Sequence, residues 1–201
     1  MRAEKKHTVL KATDLSVGYF SKKKPILIAE AINFELKQGE LIGLVGANGV
    51  GKSTLLRSLV GMQSIISGTV EINGKQLSSL TSLQLATQLS VVLTEAPASK
   101  NLTVQELVTL GRQPYTNWMG SLSETDTKQI HYALEVTDTA KLAHKKCFEL
   151  SDGQLQRASI ARALAQDTPL ILLDEPTTHL DLYHRAYILK LLKQLTSETG
   201  K

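Results

Sequence analysis

The alternation of apolar and polar positions changes character along the chain. Residues 8–36 alternate between the two, which predicts half-buried antiparallel strands. Residues 96 to about 149 instead carry two helix starts: Thr103 opens a capping box, and Ser123 marks the second start. We interpret this later stretch as a helical insert.

Compact apolar runs predict strands of a different kind. Residues 41–45 and 170–173 are continuous apolar segments, the pattern of strands covered on both faces. Strands separated by helical stretches favour an α/β fold with a partly parallel sheet. The other predicted elements are a hairpin at 70–74, a strand at 89–93, and helices at 53–60, 154–165 and 183–195.

Composition narrows the class of protein. The 201 residues are 42% hydrophobic and 21% charged, which suits one globular domain or one core with a modest insert. No apolar run reaches the roughly 20 residues of a membrane span, and the N-terminal apolar stretch is too short for a signal peptide. The single cysteine, Cys147, excludes a disulfide framework and a Cys-rich zinc site. We expect a cytosolic location.

The formal net charge of +4 arises partly from short lysine clusters. We interpret them as solvated surface charge, with contact to anionic lipid headgroups or nucleic acid as the alternative. Because no aromatic residues interleave with these lysines, we expect no nucleic-acid partner.

The segment from Gly46 to Ser53 fits the phosphate-loop pattern G-x-x-x-x-G-K-[ST], between a predicted strand and a predicted helix. Its glycines let backbone N–H groups approach phosphate oxygens, and the helix start adds the positive end of its dipole. Lys52 supplies a charge for the β- and γ-phosphates, and the Ser53 hydroxyl is a ligand for Mg²⁺. The predicted nucleotide-binding residues are Gly46, Ala47, Asn48, Gly49, Val50, Gly51, Lys52, Ser53 and Thr54.

Two carboxylates follow the apolar run at 170–173. They therefore lie at the carboxyl end of a predicted strand, which is where ligands bind in α/β folds. We expect Asp174 to hold Mg²⁺, directly or through water. Glu175 is then placed to polarise the water that attacks the γ-phosphate.

With these motifs in place, the chain resembles the ATP-binding subunits of ABC transporters. Residues 150–154 (Leu-Ser-Asp-Gly-Gln) are similar to the family's signature, and residues 178–181 to its D-loop. Tyr19 stands where the family places an aromatic ring against adenine, and the helical insert lies where the family has one. The residues that this resemblance adds to the nucleotide site are Tyr19, Ser151, Gly153, Gln154 and Asp181.

The resemblance implies a P-loop NTPase core of the ABC ATPase type, with an antiparallel β subdomain and a helical insert. We expect a discontinuous core, residues 1–95 and 150–201, around a helical subdomain at 96–149. The family usually has Gln where Glu95 stands, and we expect Glu95 to contact Mg²⁺ or the attacking water. Asp152 replaces a usual glycine, so its side chain should point away from the nucleotide.

The end of the chain is a further departure. The family places a histidine after one more strand beyond the last predicted helix, and none of the five histidines takes that position. We interpret His179 and His184 as local structure. We therefore expect an incomplete nucleotide-binding domain, folded marginally or only with help, that binds nucleotide and hydrolyses it poorly.

The run Gly-Arg-Gln-Pro-Tyr at 111–115 resembles importers of the iron–siderophore, haem or cobalamin type. This implies an ATPase that forms an ATP-dependent head-to-tail homodimer, docks on membrane permeases at the cytoplasmic face of the inner membrane, and depends indirectly on a periplasmic or surface binding protein. Two alternatives stay open: a soluble ABC ATPase acting on DNA or ribosomes, and a product that only binds nucleotide.

Overall fold

The computed structural model describes residues 7–22, 24–94, 99–178 and 180–201. The chain divides into two compact units, Met1–Leu89 with Thr196–Lys201, and Ser90–Leu195.

The first unit contains a four-stranded antiparallel sheet in the order β2-β1-β3-β4. Its strands are β1 (Thr8–Ser21), β2 (Lys24–Lys37), β3 (Ser67–Ile72) and β4 (Lys75–Gln76). This confirms the antiparallel strands predicted over 8–36. The hairpin at 70–74 is also confirmed, because Asn73 and Gly74 both have positive φ (49° and 74°), as a tight primed turn requires.

In the described part of the chain, helices α1 (Lys52–Leu59) and α2 (Ser82–Ala86) lie entirely within this unit. The helix predicted after the phosphate loop is therefore confirmed. The strand predicted at 41–45 is wrong: within the described residues this segment forms no strand, and Leu41, Ile42, Leu44 and Val45 are 48–93% exposed. An apolar run forms a buried strand only beside hydrogen-bonding neighbours, and in the described part of the chain this segment has none.

The second unit is mainly helical. Strands β5 (Leu89–Val92) and β6 (Leu170–Leu173) pair with each other, which confirms both predicted strands. The helices are α3 (Val104–Thr109), α4 (Glu124–Val136), α5 (Asp152–Ala165) and α6 (Leu182–Thr199).

The two helix starts predicted in the helical insert are confirmed. Thr103 caps α3 and Ser123 caps α4, each as half of a reciprocal capping box. Buried side chains of α3, α4, α5 and α6 share one hydrophobic cluster, largely aliphatic as the low aromatic content requires. The helical insert therefore packs directly on α5, and the predicted boundaries at 95/96 and 149/150 stay a prediction.

A buried ion pair explains the Gly-Arg-Gln-Pro-Tyr run. Arg112 is only 5% exposed; its Nε donates to Asp126 Oδ1 at 2.7 Å, and a second guanidinium nitrogen donates to the Ala165 carbonyl at 2.8 Å. The guanidinium also lies 4.0 Å from the Tyr115 ring centre. A side chain at Gly111 would overlap the Arg162 carbonyl. The run therefore ties the end of α3 to α4 and α5.

We expect Asp126→Asn to destabilise the fold by about 3–5 kcal/mol, because it leaves the buried Arg112 charge without its partner. Hydrogen bonds from Ser123 and Arg112 hold the pKa of Asp126 below its usual value. Its contribution is thus present above the usual carboxylate pKa and is lost as the pH falls through the lowered one. Denaturant unfolding at several pH values measures both effects. The control is Glu35→Gln in the exposed Lys11–Glu35 pair, expected to cost about 0–1 kcal/mol; equal losses would contradict the assignment.

Among the described residues, no helix is both long enough and apolar enough to cross a bilayer.

Candidate functional site

The phosphate loop is an exposed turn that leads into α1. Residues 46–50 are exposed, and Gly51 precedes the helix with φ 103°, a conformation that favours glycine. A side chain at Gly51 would also overlap Ile28 on β2. Gly51 at the N-cap position has no side chain with which to cap α1, and the backbone N–H groups of a helix start are oriented to bind an anion.

The Lys52 ammonium is held inside this loop. Nζ donates to the carbonyl of Gly46 at 3.0 Å and to that of Ala47 at 2.9 Å. The side chain thus folds back over its own loop, so that one ammonium and the start of a helix face the same short segment. This arrangement combines a point charge with oriented backbone dipoles, the two features that bind phosphate.

Tyr19 belongs to the same unit as the loop. It lies near the end of β1, opposite Ile26 of β2, and is 50% exposed. An exposed ring at a strand end is available for stacking, and its predicted role against adenine stays a prediction.

In the second unit, Asp174 and Glu175 follow β6 and face different environments. Asp174 is 6% exposed; its N–H donates to the Val92 carbonyl, and Thr94 Oγ1 donates to its carbonyl at 3.0 Å. Glu175 is exposed and has φ 48°, so the chain turns immediately after the strand. Thr178 Oγ1 donates to Glu175 Oε2 at 3.0 Å. The turn therefore gives two adjacent carboxylates separate directions.

The signature segment forms the start of α5. Ser151 caps the helix: its Oγ accepts from Gln154 N, while Gln154 Oε1 accepts from Ser151 N. Gly153 is buried, and Asp152 is exposed. The helix begins two residues before the predicted Gln154, because Ser151 already satisfies the capping position.

The D-loop carboxylate is fixed by the first turn of α6. Asp181 Oδ1 accepts hydrogen bonds from the backbone N–H and from Nδ1 of His184, both at 2.8 Å. These bonds hold the pKa of Asp181 below its usual value. The interpretation of His184 as local structure is incomplete, because its ring also lies against Gly153: a Cβ built on Gly153 would be 2.6 Å from the His184 Cδ2.

The structure therefore brings together Gly46, Ala47 and Lys52 in the first unit, and Gly153, Asp181 and His184 in the second. Glu95 and His179 lie outside the described residues, so the predicted role of Glu95 stays a prediction. Neither the Arg112–Asp126 pair nor the Gly153–His184 contact follows from a sequence motif, since both depend on helix packing.

The chain matches the ABC transporter family over residues 29–178. It is 39% identical to the achromobactin transport ATP-binding protein CbrD of Dickeya dadantii over 96% of this chain and 71% of the relative. It is also 39% identical to the iron(3+)-hydroxamate import ATP-binding protein FhuC of Bacillus subtilis, over 96% and 70%.

Solved structures give the same result. The dimeric structure of the bacterial ABC transporter cassette MJ0796 matches with a TM-score of 0.81 and 30% identity, covering 96% of this chain and 84% of that one. A post-hydrolysis dimer of that cassette, bound to ADP and Pi, matches equally well. The fold and the resemblance predicted from the motifs are thereby confirmed, and the chain belongs to the ATP-binding proteins of the ABC transporter family.

Proposed function

We propose that the chain binds Mg²⁺-ATP at the phosphate loop and hydrolyses it to power a membrane importer of iron–siderophore, haem or cobalamin-type ligands. The observation that carries this proposal is the Lys52 ammonium, bonded to the Gly46 and Ala47 carbonyls beside the start of α1. Relatives named for achromobactin transport and iron-hydroxamate import support the importer class.

The donors available suit Mg²⁺. Ser53 offers a hydroxyl in the first turn of α1, and Asp174 offers a buried carboxylate. Mg²⁺ prefers hard oxygen ligands and is commonly held by one or two carboxylates together with substrate phosphates and waters. We assign Ser53 and Asp174 to the ion, with Glu95 as a further ligand. When bound, Mg²⁺ would neutralise charge that develops on the phosphates.

Hydrolysis requires a base and a partner. Glu175 orients and deprotonates the attacking water, which suits an exposed carboxylate held at a turn by Thr178. In a head-to-tail homodimer, the signature residues Ser151, Gly153 and Gln154 and the D-loop residue Asp181 complete the nucleotide site of the other copy. Tyr19 stacks on the adenine.

The expected partners are the permease subunits of the importer and, indirectly, its binding protein, at the cytoplasmic face of the inner membrane. Nucleic acid is not an expected partner. The experiment is to purify the chain together with the permease subunit encoded by a neighbouring reading frame, measure ATP turnover, and identify the co-purified ligand. Turnover that the membrane subunit leaves unchanged would favour a soluble ABC ATPase, and nucleotide binding without turnover would favour a binding-only product.

A further inference from the structure

The starts of α5 and α6 contact each other at two successive levels. At the first level, the His184 ring lies against Gly153, where any Cβ would be 2.6 Å from Cδ2 and 3.3 Å from Nε2. At the second level, one turn further along both helices, the Arg157 guanidinium lies 5.4 Å from the Tyr187 ring centre. Arg157 also donates to Asp138 Oδ2 at 2.7 Å. The start of α6 is therefore packed on α5 and not merely adjacent in sequence to the D-loop.

The same imidazole binds the D-loop. Asp181 Oδ1 accepts from both the His184 backbone N–H and His184 Nδ1, so one carboxylate oxygen is held by two donors of one residue. The Tyr183 ring meets the imidazole edge-on, with centres 5.5 Å apart. One ring nitrogen thus forms a hydrogen bond with Asp181, while the opposite edge of the ring occupies the space where any residue other than glycine at position 153 would place its side chain.

We propose that His184 is a positioning residue that couples the D-loop to the signature. The absence of a side chain at Gly153 leaves room for the imidazole, and the imidazole orients the Asp181 carboxylate. The proposal rests on the proposed function, since Ser151, Gly153 and Asp181 act together only if both segments face the nucleotide of the partner copy. A glycine is then required at position 153 for two reasons: its backbone approaches the phosphate, and the imidazole of His184 occupies the space beside it. A methyl group at Gly153 would displace the ring and break its bond to Asp181.

The coupling predicts a specific pattern of ATP turnover. His184→Ala and Gly153→Ala should each lower kcat by roughly 10- to 100-fold through misplacement of the D-loop, and His184→Ala should leave KM for ATP unchanged. Asn is shorter than His but retains an N–H donor for Asp181. The double variant Gly153→Ala/His184→Asn should therefore turn over faster than Gly153→Ala alone, because the methyl group and the hydrogen bond are then both accommodated. His131→Ala on the exposed face of α4 is the matched control and should behave as wild type.

A second readout does not need activity. In long-range ¹H–¹⁵N spectra of the full chain, His184 should be the Nδ1–H tautomer, and Gly153→Ala should abolish that preference. The proposal would be overturned if the double variant turned over ATP no faster than Gly153→Ala alone. It would also be overturned if Gly153→Ala left the His184 tautomer unchanged. Absence of turnover in the wild type would instead count against the proposed function, and the tautomer measurement would still decide the coupling.

Discussion

Lys52→Ala is expected to weaken Mg²⁺-ATP binding by roughly 30-fold to several thousand-fold, which corresponds to about 2–5 kcal/mol for removing one partner of a desolvated charge pair. The Lys52 ammonium has no substitute in the loop, because it is the only charged side chain from Gly46 to Thr54. Without it, the phosphates would keep only the backbone donors and the helix dipole, which contribute less than a full charge.

Calorimetry with Mg²⁺-ATP measures this loss directly. The matched control is Lys75→Ala, which removes an exposed lysine of the same unit, on β4. It should bind ATP as the wild type does. Unchanged affinity in Lys52→Ala, or an equal loss in both variants, would contradict the assignment of the loop.

Glu175→Gln is expected to lower ATP turnover by roughly 100- to 10,000-fold while leaving ATP binding intact, because it removes the base and keeps the shape of the side chain. The amide oxygen can still accept the hydrogen bond from Thr178, so the turn after β6 should be preserved. Since binding continues without hydrolysis, the variant should accumulate as an ATP-bound dimer.

Sedimentation velocity with Mg²⁺-ATP tests this second expectation. Glu198→Gln near the end of α6 changes the same functional group at a residue outside the motifs assigned to the nucleotide site, and it serves as the control. A Glu175→Gln protein that stays monomeric with ATP, or that hydrolyses at the wild-type rate, would refute its assignment as the base in a nucleotide-closed dimer.

Local features of the fold were predictable from sequence. The capping box at Thr103, the helix start at Ser123 and the Asn73–Gly74 turn depend on residues within a few positions of one another, and all three form as predicted. The phosphate loop is equally local, since Lys52 bonds to carbonyls five and six residues before it.

Features that depend on distant neighbours were not predictable. The apolar run at 41–45 has the pattern of a buried strand, yet within the described residues it has no strand beside it. In the sequence, Arg112 is only part of the run at 111–115, whereas in the fold Asp126 and the Ala165 carbonyl make it a buried ion-pair residue. The sequence likewise indicates only a local role for His184, since no sequence pattern indicates that its ring packs on Gly153.

In the proposed homodimer, each ATP is enclosed by the phosphate loop of one chain and the signature of another. This arrangement can be tested by mixing two variants. Lys52→Ala disables the loop, and Ser151→Asp retains the helix cap but directs a negative charge at the phosphates. Each variant alone should be nearly inactive. In an equal mixture, half of the dimers would contain one site with both parts intact, so turnover should recover to about one quarter of the wild-type rate. A mixture no more active than its components would contradict a site shared between two chains.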